Sequence, residues 1–224
     1  MLTGIQRRLI ELVSGLPEAK GFALAGGAAL ILRGIVDRMT HDLDFFCTAK
    51  EPVSVLATAA ERAVEAAGMS AKRIRTADGF VRLQVSEGAE ICELDFSYDA
   101  RLQPTEHIGG TEVLAEEELA ADKTLAVFGR AAARDFVDLA ALVDRFGWRR
   151  LLTLAAQKDL GFDLRFFLDA LRAFERLPAH SFGLDPIDYE HLRSRIQSWR
   201  RELAAGSERR GRGWEGRASG GPEA

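Results

Sequence analysis

Residues Gly26 to Phe46 read GGAALILRGIVDRMTHDLDFF, and the order of features within them decides the fold: a glycine pair, an apolar helical run, then two aspartates separated by one residue. Just upstream, Gly21 to Ala25 (GFALA) is a short apolar run suited to a buried strand. The glycine pair therefore sits at a strand-to-helix turn, and Ala28 to Arg33 opens the helix. Downstream, Asp42 to Cys47 (DLDFFC) alternates, with Asp42, Asp44 and Phe46 on one face and Leu43, Phe45 and Cys47 on the other. This is a strand carrying two carboxylates side by side.

Outward from this stretch the periodicity changes in kind. Leu2, Ile5, Leu9, Leu12 and Leu16 share one helical face before Gly15 and Pro17 supply a stop, which predicts an N-terminal amphipathic helix. Pro52 opens another helix with Val53, Leu56, Ala60, Val64 and Ala67 as its stripe and Gly68 as its stop. Phe80 to Val85 and Ala89 to Phe96 both alternate across the link Ser86 to Gly88 and pair as a hairpin, with Glu93 and Asp95 on one face and Cys92, Leu94 and Phe96 on the other. From Val113 the period becomes 3.6, with stripes such as Phe136, Leu139, Ala140 and Val143, so the second half is helical. Trp148, Phe166, Phe167 and Trp199 fall at helix positions that read as packing, and Asp185 with Pro186 caps and opens a last helix. The expected architecture is α/β (α+β): a core over 1–112 with a mixed sheet flanked by helices, a helical domain over 113–205, and a disordered tail over 206–224, whose few apolar residues cannot offset the entropy of ordering.

Composition narrows the function. The 224 residues are 47% hydrophobic and 29% charged with 6 prolines, which excludes a disulfide-stapled miniprotein and wholesale disorder. A net charge of -4 argues against a general duplex-coating protein, whose affinity rests on excess Lys and Arg. The 2 cysteines, Cys47 and Cys92, lie inside apolar runs and fit reduced core thiols, which points to the cytoplasm. Arg7, Arg8 and Glu11 interrupt the N-terminus, so it is not a signal peptide, and the run Gly21 to Leu32 is too short to cross a bilayer.

Asp42 and Asp44 project to the same side, so they can bind the same ions; magnesium takes oxygen ligands, commonly one or two carboxylates plus substrate phosphates. A third carboxylate from a neighbouring strand, for which Asp95 is the candidate, would complete a two-ion site or receive a nucleophile's proton. Gly26 and Gly27 open a helix whose free N–H groups favour a phosphate. Each feature alone also has a plain structural reading, an exposed strand face or a tight turn. His41, His107, His180 and His191 lack zinc-site spacing, and neither a Walker A lysine nor a Gly-x-Ser-x-Gly elbow occurs.

Taken together, strand, Gly-Gly, helix, Asp-x-Asp strand and later acidic strand resemble the polymerase-beta-like nucleotidyltransferase superfamily. Within it the chain is similar to the AbiEii/AbiGii toxin family, whose motif runs Gly-Gly, a helix, then Arg-x-Ser/Thr-x-Asp-x-Asp; Arg38, Thr40, Asp42 and Asp44 match it. Lys123, Arg130 and RDFVDLAAL from Arg134 resemble the family's downstream block, so the likeness spans Gly21 to Val143. The resemblance implies a nucleotidyltransferase with Asp42, Asp44 and Asp95 as metal ligands and with Gly26, Gly27, Arg38, Thr40, Lys123 and Arg134 toward the nucleotide. It further implies that Asp135 orients Lys123 or assists the acceptor, and that Arg134 and Asp138 support the site. Arg134 and Asp138, four residues apart, can also simply pair with each other on the helix. Ala28 stands where the family carries Ser or Thr, which implies weaker donor affinity.

The implied reaction is Mg2+-dependent transfer of a nucleoside monophosphate from an NTP to a hydroxyl of tRNA or protein, by a toxin that an antitoxin neutralises. A positive groove for tRNA could come from Arg73, Arg75 and Arg82 on the middle strands or from Arg149 and Arg150. The competing readings are a small-molecule, antibiotic-modifying nucleotidyltransferase on the same core and a non-catalytic nucleotide- or protein-binding member.

Overall fold

The computed structural model describes residues 1–215, with side chains described to residue 206. Seven strands, β1 (Ala23–Ala25), β2 (Asp42–Cys47), β3 (Ser70–Ala77), β4 (Phe80–Glu87), β5 (Glu90–Tyr98), β6 (Glu106–Ile108) and β7 (Thr111–Val113), form one mixed sheet in the order β3-β4-β5-β2-β1-β7-β6. β2 runs parallel to β5 with Asp44 opposite Asp95, and antiparallel to β1 with Ala25 opposite Asp44. The strand that ends in the glycine pair thus delivers Gly26 to the level of two carboxylates.

The helices are α1 (Gly4–Ser14), α2 (Gly26–Leu32), α3 (Glu51–Ala66), α4 (Glu116–Gly129), α5 (Ala133–Lys158), α6 (Leu164–Arg172) and α7 (Pro186–Glu215). α1 begins with a reciprocal cap: the Gln6 amide donates to Thr3 Oγ1 at 3.4 Å and the Thr3 amide to Gln6 Oε1 at 2.9 Å. The same Gln6 side chain donates to the Thr40 carbonyl at 2.8 Å, which ties α1 to the loop that enters β2. α3 packs on β3, β4 and β5. Its Val53, Leu56, Ala60 and Val64 are buried, as are Leu43, Phe45, Leu94 and Phe96, which alternate with the carboxylates along β2 and β5. Each large apolar side chain withdrawn from water in this way contributes about 1.5–3 kcal/mol. Alternation therefore leaves Asp42, Asp44 and Asp95 on the opposite side of the sheet, the side that α2 and α4 approach.

The mixed α/β architecture and the helical second half match the expectation, with several differences. β3, β6 and β7 lack the sequence signal that revealed the others: β3 (SAKRIRTA) is polar and largely exposed, and β6 and β7 have three residues each. Arg73 and Arg75 accordingly lie on the sheet's edge strand rather than its middle. α5 is broken at Gly147, whose φ of 70° and ψ of 159° are non-helical. Trp148 packs on Trp199 at 5.2 Å and on Phe167 at 5.8 Å between centroids, but Phe166 is exposed, because α6 turns Phe167 and Leu171 inward and its neighbour outward. α7 continues to Glu215, past Gly206 where the apolar pattern ends, and residues 216–224 of the expected tail lie outside the described residues. Cys47 and Cys92 are free and buried. Among the described residues no helix is long and apolar enough to cross a membrane.

Candidate active site

A cavity of about 360 Å³ lies between the carboxylate face of the sheet and α4 with the start of α5, and its lining includes Gly26, Gly27, Asp42, Asp44, Asp95 and Lys123. Gly26 adopts φ +60°, and a Cβ there would fall 1.9 Å from Asp44 Oδ2, so only glycine fits beside that carboxylate. A Cβ on Gly27 would meet Arg38 Nη2 at 2.7 Å and Thr40 Oγ1 at 3.1 Å. The pair is needed here for close approach of side chains from the following loop and strand.

That loop is fastened at both ends of the motif. Arg38 spans to α5 and donates from Nε and Nη2 to the two oxygens of Asp138, both at 2.6 Å. Thr40 is buried and donates from Oγ1 to Asp42 Oδ1 at 2.9 Å, so it orients that carboxylate from behind. Arg134 takes the other oxygen of Asp42 at 2.8 Å. Arg134 and Asp138 therefore do not pair with each other: Arg134 reaches β2, and Asp138 serves Arg38 and Lys123. Lys123 lies 2.9 Å from Asp138 and 3.6 Å from Asp135, so Asp138 is its nearer anion. Asp135 is held by a fork from Arg130 at 2.8 and 2.9 Å and also accepts from the Ala132 amide at 3.3 Å.

Asp95 sits on the same face as Asp44, opposite it in register, and Glu93, one pleat away, does not line the cavity. Both oxygens of Asp95 are taken by Arg82, at 2.6 Å from Nε and 2.5 Å from Nη2, while Arg82 Nη1 lies 2.9 Å from Glu93. Reading along the chain missed this fork, although counting outward from the Gly88–Ala89 turn places Arg82 opposite Asp95. It also missed Lys158, at the far end of the same cavity, which is buried among Asp99, Glu118 and Asp122. Of the arginines considered for an RNA groove, Arg73 is engaged by Glu61, Arg82 by Asp95 and Arg150 by Glu117.

The electrostatics separate the three aspartates. Burial would raise the Asp42 carboxyl, but Arg134 and the Thr40 hydroxyl outweigh it and hold it below the ordinary range. Asp44 makes no ion pair among the described residues; loss of water and the neighbouring Asp42 and Asp95 carboxylates push it up to about 7. Burial acts on Asp135 too, and the Arg130 hydrogen bonds and Lys123 overcome it to keep that carboxyl low.

As the side chains stand, no three carboxylate, imidazole or thiolate groups among the described residues are disposed to hold a metal ion. The donor set nonetheless fits a hard divalent cation in its chemistry: three carboxylates gather on one face of two adjacent strands, and the middle one lacks a counter-charge. Occupation requires Asp42 and Asp95 to turn from their arginines.

The fold is similar to solved structures from Helicobacter pylori. JHP933 matches at a TM-score of 0.57 and 18% identity over 94% of this chain and 93% of that one. A second H. pylori structure matches at 0.58 and 20% over 91% and 93%. In sequence, the uncharacterized protein aq_aa25 of Aquifex aeolicus (strain VF5) is 25% identical over 173 residues, 76% of this chain and 82% of that protein. The model of one family matches residues 9–210, which takes in the glycine pair, the Asp-x-Asp strand, Asp95, Lys123 and the whole of α5 and α6. The chain belongs to that family, the nucleotidyl transferase AbiEii toxins of type IV toxin–antitoxin systems.

Proposed function

We propose that this nucleotidyltransferase uses Mg2+ to transfer a nucleoside monophosphate from an NTP to a hydroxyl of a cellular acceptor, tRNA or protein, and that an antitoxin partner restrains it in the cytoplasm. The observation that carries this reading is the register of β2 and β5, which sets Asp44 beside Asp95 with Gly26 pressed against Asp44. The acceptor oxygen would bond to the α-phosphorus as the bond to the bridging oxygen breaks and pyrophosphate leaves. Metal ions, when bound, would supply charge neutralisation on the polyphosphate.

The chain's own residues would do the rest. Asp42, Asp44 and Asp95 would hold the cations, and Asp95 would receive the acceptor's proton. Gly26 and Gly27 would let the triphosphate approach the start of α2, where the backbone N–H groups carry no side-chain cap. Lys123 and Arg134 line the cavity and would face the triphosphate charge. Thr40 and Arg38 would act through Asp42 and Asp138, by orienting them. Asp135 would position Lys123 jointly with Asp138.

The test is incubation with each labelled NTP and Mg2+ in cell lysate. Label is expected on RNA or protein, and Asp44→Ala is expected to abolish it. Label found solely on an added aminoglycoside would move the acceptor to small molecules, and nucleotide binding without label on anything would overturn the transferase reading for this chain.

A further inference from the structure

Around Asp44, at the end of the cleft nearest the glycine pair, four carboxylates are paired with guanidinium or ammonium groups: Asp42 with Arg134, Asp95 with Arg82, Asp135 with Arg130, and Asp138 with Arg38 and Lys123. In this state the cations occupy the groups that a metal needs, and the metal ligands occupy the groups that a polyphosphate needs. An NTP with divalent ions brings both missing partners at once, anions for the arginines and cations for the aspartates. Arg82 shows the arrangement most sharply, because its fork covers both oxygens of Asp95 and its side chain lines the cavity and is 32% exposed, while that of Asp95 is 7% exposed. Its third nitrogen is already tethered by Glu93 at 2.9 Å, so the guanidinium stays at the cavity wall when Asp95 leaves it. The Nε and Nη2 edge that held the carboxylate then presents two parallel N–H donors, a pattern that fits phosphate oxygens as well as carboxylate oxygens.

We infer that Arg82 is an exchangeable counter-ion: it occupies Asp95 in the empty enzyme, hands that carboxylate to a divalent cation, and passes its own fork to the polyphosphate. This rests on the metal-dependent reading above. It makes metal and polyphosphate binding mutually reinforcing, since each alone must break the Arg82–Asp95 fork and the two together replace both halves of it. Arg82 is a positioning residue for the metal and a direct ligand of the anion, and Glu93 is its anchor.

The test reads binding, without turnover. Mn2+ titrated alone and followed by electron paramagnetic resonance is expected to bind Arg82→Met at least about fivefold more tightly than wild type, because no guanidinium competes for Asp95. Tripolyphosphate titrated by calorimetry in EDTA is expected to bind the same variant at least about fivefold more weakly. Arg82→Lys, which keeps the charge without the fork, is expected to shift both affinities in the same directions by less, and it decides the matter if the methionine variant does not fold by circular dichroism. Mn2+ binding to wild type and both variants with equal affinity, or more weakly to the variants, overturns the exchange and leaves the metal reading intact. Absence of Mn2+ binding to all three overturns both.

Discussion

At Gly26 one missing methylene decides the site. With φ +60° and a would-be Cβ 1.9 Å from Asp44 Oδ2, Gly26→Ala must strain the backbone and push the carboxylate aside. A cost of about 2–3 kcal/mol is expected from urea denaturation, with labelling activity falling at least about tenfold as Asp44 moves. Asp44 itself carries a pH signature. Its folded-state pKa, about 7, lies above that of an unfolded aspartate, so the folded state binds the extra proton between roughly pH 4 and 7. Stability from this group is therefore present at low pH and lost as pH rises through that window. Asp44→Asn abolishes the loss, so in metal-free buffer its stability relative to wild type should climb by something on the order of 3 kcal/mol from pH 5 to pH 8. Urea midpoints of the two proteins across that range check it; taking the difference removes the parallel contribution of Asp122, whose burial also pushes it up to about 7. Much at this scale was legible beforehand. Alternation placed Asp42 and Asp44 together and put Glu93 and Asp95 on one face; between those two, the flanking Leu94 and Phe96, both buried, favoured Asp95. What escaped was partnership across elements: nothing in local spacing says that Arg134 prefers Asp42 to Asp138, since the helical neighbour and the distant strand are equally reachable until tertiary packing brings β2 in.

Between elements, the Lys158 clasp does for the far end of the cleft what Arg38 and Arg134 do for the near end. Lys158, near the end of α5, reaches Glu118 at 2.7 Å and Asp122 on α4, and Asp99 at 2.8 Å in the loop after β5. Glu118 in turn accepts from the Leu102 and Gln103 amides, each at 2.8 Å, so α4, α5 and that loop close on one ammonium. Burial acts against the charge on Lys158, but Asp122 and Asp99 more than restore it and raise its pKa. Removing the cation leaves the buried Glu118 and Asp122 carboxylates facing each other beside a partly exposed Asp99, so Lys158→Met is expected to cost about 3–5 kcal/mol at pH 8 and less at pH 5, below the value of about 7 to which burial pushes Asp122. Urea denaturation at the two pH values checks it. The neighbouring Arg150–Glu117 pair joins the same two helices through half-exposed side chains, and Arg150→Ala should leave the urea midpoint close to that of wild type. The helices and the hairpin that frame the cleft were readable because their periods run for several turns or pleats. β3 was not, because none of its residues is fully buried, so neither face of this edge strand needs a run of apolar side chains, and Lys158 was not, because its partners stand 36, 40 and 59 residues away.

For the whole molecule the question is whether the sheet and the helical half can exist apart. One apolar core runs without interruption from Leu2, just before α1, through the sheet to Leu203 on α7, with Phe136, Phe174 and Phe182 packed ring to ring where α5 meets the segment before α7. The cleft adds Arg38–Asp138 and Arg134–Asp42 across the same junction. A chain read as two successive domains thus has Asp42 on one side of a junction and Arg134, which holds it, on the other. α7 contributes Leu192, Ile196, Trp199 and Leu203, all buried, and a partly buried Tyr189 stacked on Phe174 at 5.6 Å. At about 1.5–3 kcal/mol for each of these five side chains, α7 supplies gross burial on the order of 10 kcal/mol, comparable to the whole net stability of an ordinary domain. Ending the chain at Leu184 is therefore expected to abolish folding of the helical half and, through Phe136 and the Arg38–Asp138 fork, to open the cleft as well. In the full-length protein with Trp214→Phe, tryptophan fluorescence, which then reports Trp148 against Trp199, should lose its native signal at the same urea concentration as the far-UV circular dichroism of the sheet and helices together. Two separated transitions, with the sheet outlasting the tryptophan pair, would show instead that the core divides at the junction and that the carboxylate face holds its geometry without α5.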